Sequence, residues 1–202
     1  MSNAVTTTQP NARAHILETA WRLVGERGVQ AVTVADIAAA SGVSRQLVYH
    51  HFDSRAGLLV AMARHHDGAS GFRGRFVASR ELAPVEGLET LLRLWLQYVP
   101  QILPVARALE AAVITGDEGG AAWRDRMDDI REAFRLAVER VDGDGRLARG
   151  WTVDTAADWI YARSHVSNWQ HVVVDRGWPA PDYVERTIGS IMAEVVASAE
   201  GR

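Results

Sequence analysis

An all-α fold is what the 202 residues predict, on three observations. Apolar residues recur at helical spacing in segment after segment, no alternating apolar–polar run persists, and glycines, prolines and cap-forming residues punctuate the segments. With 48% hydrophobic and 23% charged residues the chain can bury a sizeable core, which excludes wholesale disorder. Cysteine is absent, so thiol catalysis, Fe–S ligation and cysteine zinc sites are excluded. No stretch approaches the roughly 18 consecutive apolar residues of a membrane span. Met1 to Thr8 lacks the apolar core of a secretory signal, so a soluble, cytoplasmic protein without a membrane partner is expected.

The first helix is expected from Asn11 to Arg27, with Ile16, Ala20, Leu23 and Val24 on one side and Gly28 placed to end it. Three helix starts then follow within residues 32–58. Thr33 with Asp36 forms a capping-box pair, and Val32 and Ile37 stand at the positions of a hydrophobic staple. That helix stops at Ser41-Gly42-Val43, where Gly42 suits the positive φ of a sharp turn. Ser44 caps the next helix, and Asp53 or Ser54 caps a longer one through Leu58 and Leu59. Two short helices across a three-residue glycine turn make a helix-turn-helix. The second one exposes Arg45, Gln46, Tyr49 and His50 and buries Leu47 or Val48 with Phe52. Arg pairs with guanine and Gln with adenine, although either also reaches phosphate.

Beyond it, Gly68, Gly71 and Gly74 fall in a helical stretch, and at about 1 kcal/mol each relative to Ala they predict a kink or an early helix end. Leu88, Leu91, Leu92, Trp95 and Val99 share one helical face, as do Trp123, Met127, Ile130, Phe134 and Val138. Breaks are expected at Pro84, Pro104, Gly116 to Gly120, Asp142 to Gly150, and Pro179/Pro181.

The net charge of −3 hides an asymmetry. Residues 1–80 carry nine Arg against five acidic residues, a net +4, while residues 81–202 carry −7; every permanent cation is Arg. A polyanionic partner is therefore to be sought at the N-terminal end. Other motifs fail on inspection. Neighbouring pairs His50-His51 and His65-His66 point about 100° apart on a helix and do not chelate one ion. Asp142-Gly143-Asp144-Gly145 has Arg146 and Leu147 where a calcium loop needs an oxygen ligand and glycine. Gly68 to Gly74 lacks the Gly-Lys-Ser/Thr ending of a phosphate loop. No nucleophile–base pair stands out, and no catalytic residue, cofactor or metal is expected.

The run from Thr33 to Phe52, with anchors Thr33, Ile37-Ala38, Gly42-Val43-Ser44, Tyr49, Phe52 and Leu58 in one register, resembles the signature of the TetR (tetracycline-repressor) family of regulators. The resemblance covers about residues 12–60. It implies an N-terminal three-helix DNA-binding domain on a larger helical domain that dimerises and binds a ligand: a tail over 1–10, the helix-turn-helix domain over 11–56, and the ligand and dimer domain over 57–202. It implies that Thr33, Tyr49, His51 and Arg55 hold phosphates, that Arg45, Gln46 and His50 face base edges, and that Ser44 belongs to the same surface. Arg55 stands where the family usually has Lys, and Ser41 where Ala is commoner.

Family dimers pack their last two long helices together, here about Val153 to Asp175 and Asp182 to Ala199. The latter carries Gly189, Ala193 and Ala197 at spacing four with Ile188, Met192 and Val196 beside them, an interface stripe or packing within the subunit. For a pocket, the aromatic content suggests Trp95, Tyr98, Arg107, Trp123, His165, Asn168 and Trp169, with His165, Asn168 and Trp169 on one helical face; the same side chains also suit a plain core. The expectation is a homodimeric transcriptional regulator, a repressor that leaves a palindromic double-stranded operator on binding a small apolar or aromatic effector. The alternative is a helix-turn-helix regulator controlled by a protein partner.

Overall fold

Nineteen residues from Gln9 to Arg27 form α1 in the computed structural model, which describes residues 9–116 and 118–198. The expected tail over 1–10 lies outside the described residues except for Gln9 and Pro10, with which α1 begins. A 3-10 turn at Val29–Ala31 leads into α2 (Val34–Ala40), α3 (Arg45–Phe52) and α4 (Arg55–Ala69). Then come α5 (Phe72–Ala78), the long α6 (Pro84–Thr115) and α7 (Glu118–Gly143). Last are α8 (Val153–Arg163), the short α9 (Val166–Trp169), a π-helical turn over Gln170–Val174, and α10 (Ala180–Val195). Among the described residues the fold is all-α apart from one isolated bridge between Leu147 and Val196.

The chain gathers into two compact units. One comprises the residues up to Ser70 with Pro104–Trp123, the other Gly71–Leu103 with Arg124 onward. In the first, α1 packs against α2 and α4, and α3 against α2 and α4, around Ile16, Leu17, Ala20, Ile37, Val48, Phe52, Leu58 and Met62. Local chemistry sets each start. Thr33 Oγ1 accepts from the Asp36 N–H (3.2 Å) while the Thr33 N–H donates to Asp36 Oδ2 (2.8 Å), the reciprocal capping box. Those Thr33 hydrogen bonds, helped by Arg27, hold the Asp36 carboxyl below its ordinary range. Gly42 takes φ +66°, and the Val43 N–H reaches back to the Ala38 carbonyl, closing the turn that ends α2. Ser44 caps α3 and Ser54, not Asp53, caps α4. Trp21 of α1 lies flat on His66 of α4, centroids 3.7 Å apart.

The expected break after α4 is present: the helix ends at Ala69 and Gly71, at φ +68°, opens α5. The break expected at Pro104 is not, since α6 runs through both Pro100 and Pro104. Each helical proline costs about 3 kcal/mol through its missing N–H. Val99, Ile102, Val105 and Ala106 around them are at most 2% exposed. Burying residues of this kind is worth about 1.5–3 kcal/mol for each Val or Ile, which outweighs the interruptions.

In the second unit, the Trp95 indole donates to the Ser164 carbonyl (2.9 Å) and Tyr98 stacks on Phe72 (4.1 Å). Arg131 pairs with Asp158 (2.6 Å), and Arg93 with Glu185 and Glu89. The single helix expected over Val153 to Asp175 is interrupted. Ser164 ends α8, and His165, at φ −61° and ψ 147°, caps α9 by accepting the Ser167 N–H at Nδ1. Asn168 donates to the Ala162 and Arg163 carbonyls (2.7 and 3.1 Å), filling acceptors that the end of α8 leaves open. His165 therefore does not share a continuous helical face with Asn168 and Trp169. The last helix likewise stops at Val195; its expected course to Ala199 fails because Val196 bridges Leu147 and the Ala197 N–H donates to the Arg146 carbonyl (2.8 Å). The Arg146 guanidinium in turn donates to the Ala197 carbonyl. Residue 199 lies outside the described residues.

A Cβ on Gly57 would collide with the Phe52 carbonyl oxygen, so Gly57→Ala is expected to cost about 1–3 kcal/mol by urea denaturation, with no loss overturning the close approach. Burial pushes the His165 imidazole below its ordinary 6.5, which keeps it neutral as an acceptor. The unfolded chain then binds the proton first, so stability from this group is full above about pH 6.5 and falls as pH drops towards the folded value. An NMR titration of His165 is expected to give a midpoint below 6.5; one at or above it refutes the burial of the ring.

Candidate nucleic-acid interface

Eight residues make α3, and their angular positions sort them by job. At about 100° per residue, Gln46, Tyr49 and His50 lie within about 100° of one another and turned away from Val48, while Arg45, seven residues before Phe52, shares the side of Phe52 and is exposed at the first turn. The burial agrees: Val48 is 2% and Phe52 4% exposed, Tyr49 is 43% exposed, and Arg45, Gln46 and His50 are open to solvent. The sequence's choice between Leu47 and Val48 as the buried residue falls on Val48, with Leu47 half-buried. Arg45 to His50 thus form a ridge of donors and acceptors on a helix that a major groove admits.

The remaining predicted contacts sit differently. The Ser44 hydroxyl caps α3, accepting from the Leu47 N–H (3.1 Å), and Thr33, although exposed, is engaged with Asp36. Arg55 turns inward: its Nη2 donates to the carbonyls of Val29 (2.5 Å) and Val32 (3.3 Å), tying the first turn of α4 to the 3-10 turn. His51 lies about 170° around α3 from the middle of the exposed ridge. It lines a cleft with Arg13, Phe52, Arg64 and His65 instead. The cleft was missed from sequence because Arg13, His51 and Arg64 come from three different helices.

The seven aromatic and polar residues suggested for a pocket do not gather around a cavity of the second unit. Arg107 and Trp123 belong to the first unit and the other five to the second. Trp95, Tyr98 and Trp123 are at most 2% exposed, and Trp169 meets Tyr183 edge-on at 5.4 Å. A cavity of about 240 Å³ opens elsewhere in the second unit, between α5, the start of α6 and α7. It is lined by Phe76, Leu91, Ala133 and Leu136 with Arg80 and Arg140. None of the seven lines it. Its signal in the sequence was faint, since Ala133 and Leu136 read as ordinary helix-face residues. On α10, Ile188 is buried within the subunit, Met192 is partly so, and Gly189 and Ala193 are exposed. Among the described residues there is no cluster of three metal-ligating side chains, and no helix is long and apolar enough to cross a membrane.

These features match known proteins. The family model of bacterial regulatory proteins, tetR family, matches residues 16–62, from within α1 to within α4, and so includes the whole of α2 and α3. The chain is 30% identical over 149 residues to the HTH-type transcriptional repressor AcnR of Corynebacterium efficiens, covering 73% of this chain and 74% of that one. It is 32% identical over 126 residues to the HTH-type transcriptional regulator TtgR of Pseudomonas putida, covering 62% and 58%. In fold it is similar to a solved transcriptional regulator from Saccharomonospora viridis in complex with choline, with a TM-score of 0.78 at 23% identity, covering 94% of this chain and all of that one. The capped helix-turn-helix, the exposed ridge of α3 and this similarity along three quarters of the chain make the protein a member of the TetR family of transcriptional regulators.

Proposed function

We propose that the protein is a homodimeric repressor that reads a palindromic operator with α3 and releases it when a small molecule binds the second unit. Exposed Arg45, Gln46, Tyr49 and His50 on a helix that buries Val48 and Phe52 carry the reading. Arg45 and Gln46 are assigned to base edges, Tyr49 to phosphate, and His50 to the base edges beside them. Thr33 and Ser44 add hydroxyls at the starts of α2 and α3. Arg55 and His51 support the reader from behind, Arg55 through the Val29 and Val32 carbonyls.

Two copies are needed because a palindrome presents two half-sites about one helical turn apart. The exposed small residues Gly189 and Ala193 on α10 allow the close helix approach that a second copy requires. The effector site is assigned to the cavity lined by Phe76, Leu91, Ala133 and Leu136, whose apolar walls fit a small apolar or aromatic body. The choline complex of the Saccharomonospora viridis protein supports a ligand-responsive reading.

Selection of random duplex DNA at two salt concentrations is expected to enrich a palindrome whose binding weakens steeply with salt. Gln46→Ala is expected to lose about 1–3 kcal/mol per half-site, or about 5- to 150-fold, on that duplex. Unchanged affinity overturns the assignment of α3. Ala193→Arg is expected to convert dimer to monomer in sedimentation velocity; a persisting dimer removes α10 from the interface.

A further inference from the structure

The cavity of about 240 Å³ in the second unit has charged residues beside its apolar wall: Arg80, Arg140 and Glu139 line it with Phe76, Leu91 and Ala133. Arg80 is exposed just after α5, and Arg140 is half-buried on α7. The fold fixes the second of these. Arg140 Nη2 donates to the Leu82 carbonyl (2.6 Å), and its Nη1 lies 3.2 Å from where a Cβ on Gly87 would stand. That Cβ would also meet the Ser79 carbonyl oxygen at 2.7 Å, so the bare Cα of Gly87 is what lets α6 come this close. The bond to Leu82 uses one of the five N–H donors of the guanidinium and leaves its charge in place.

Pairing separates these two arginines from their neighbours. On α7, Arg131 is bonded to Asp158, and Arg135 pairs with Glu132 and Glu139. Among the described residues neither Arg80 nor Arg140 pairs with a carboxylate. Glu139 is already engaged, with Arg135 at 3.5 Å. Residues 72–80 hold Arg73, Arg75 and Arg80 and no acid, so the α5 side of the cavity is positive.

An apolar wall beside two unpaired guanidiniums suits a molecule divided in the same way, because Arg forks are matched to oxyanions. Two Arg against one Glu give the lining a net +1, which a single carboxylate neutralises. The volume lies below the roughly 300–1,000 Å³ of drug-sized sites, so the body that fits is short.

We propose that the effector held in this cavity is an amphipathic anion: a short apolar body against Phe76, Leu91 and Ala133, with a carboxylate held by Arg80 and Arg140. The proposal rests on the reading of this cavity as the effector site. It sets the chain apart from the Saccharomonospora viridis protein, whose complex holds the cation choline.

The test is isothermal titration calorimetry of the whole protein with octanoate, 1-octanol and octylammonium, which share one apolar chain and differ in charge. Octanoate is expected to bind more tightly than octanol by about tenfold or more, and octylammonium more weakly than either. In Arg80→Gln the preference for octanoate is expected to fall towards equality while octanol binding is kept. Ala137→Phe puts a ring into the cavity that Ala137 lines and is expected to abolish binding of both. Arg140 is left in place because it also ties Leu82. Both variants are checked for wild-type helix content by circular dichroism. Equal affinity for octanoate and octanol, both lost in Ala137→Phe, overturns the anionic head and leaves the cavity as the effector site. A preference that survives Arg80→Gln, or tighter binding of octylammonium than of octanoate, likewise overturns the head alone. Binding of none of the probes, or binding that Ala137→Phe leaves unchanged, overturns the effector cavity and the head with it.

Discussion

Everything that this protein presents to a partner through α3 rests on the burial of two side chains. A helix of eight residues is far too short to persist in water unaided, since nucleation is costly and isolated helices below about 12–15 residues are marginal. Val48 and Phe52, one turn apart, supply the missing stability by closing against α2 and α4. The two ends are held as well: Ser44 caps the start, and the Gly57 backbone comes against the Phe52 carbonyl at the finish. Arg55 adds a tie from α4 to the 3-10 turn before α2. The exposed ridge is therefore free to carry polar residues, Tyr49 and His50 of lower helix propensity among them, because none of them is asked to hold the helix together.

How much of this could be read from the residues depended on how local the cause was. The helix-turn-helix was legible because its determinants lie within a few positions of what they determine: Thr33 with Asp36, Gly42 with its positive φ, Ser44 with the Leu47 N–H. The end of α4 was legible for the same reason. Pro104 misled because a local penalty of about 3 kcal/mol was set against distant burial that the sequence does not display. The break at Ser164 and His165 went unseen because nothing near it is a glycine or a proline. It is made by Asn168 reaching back to Ala162 and Arg163, an interaction that becomes visible only when both ends of the turn are in place.

The second unit shows why polar and aromatic side chains at helical spacing are ambiguous. Trp95, His165 and Asn168 have the chemistry of ligand anchors, but each spends its polar atom on the fold. The Trp95 indole satisfies the Ser164 carbonyl, His165 accepts at the start of α9, and Asn168 donates at the end of α8. All three serve the same interruption. A buried backbone group without a partner costs about 1–3 kcal/mol, so a helix break inside a core draws nearby polar side chains to itself before any are left for a ligand. The 240 Å³ cavity lies instead beside α5, where Phe76, Leu91, Ala133 and Leu136 line it together with Arg80, Glu139 and Arg140.

The head has the complementary pattern. Arg45, Gln46 and His50 face solvent, and the far side of α3 places Arg13, Arg64, His51 and His65 around a cleft. Of the nine Arg in residues 1–80, Arg45 stands on the ridge and Arg13 and Arg64 line the cleft, while Arg22 pairs with Glu26, Arg55 turns inward, and Arg73, Arg75 and Arg80 belong to the second unit. Phe52 belongs both to that cleft and to the packing that holds α3. Since the ridge is stable only while that packing is intact, the two sides of α3 share one free energy.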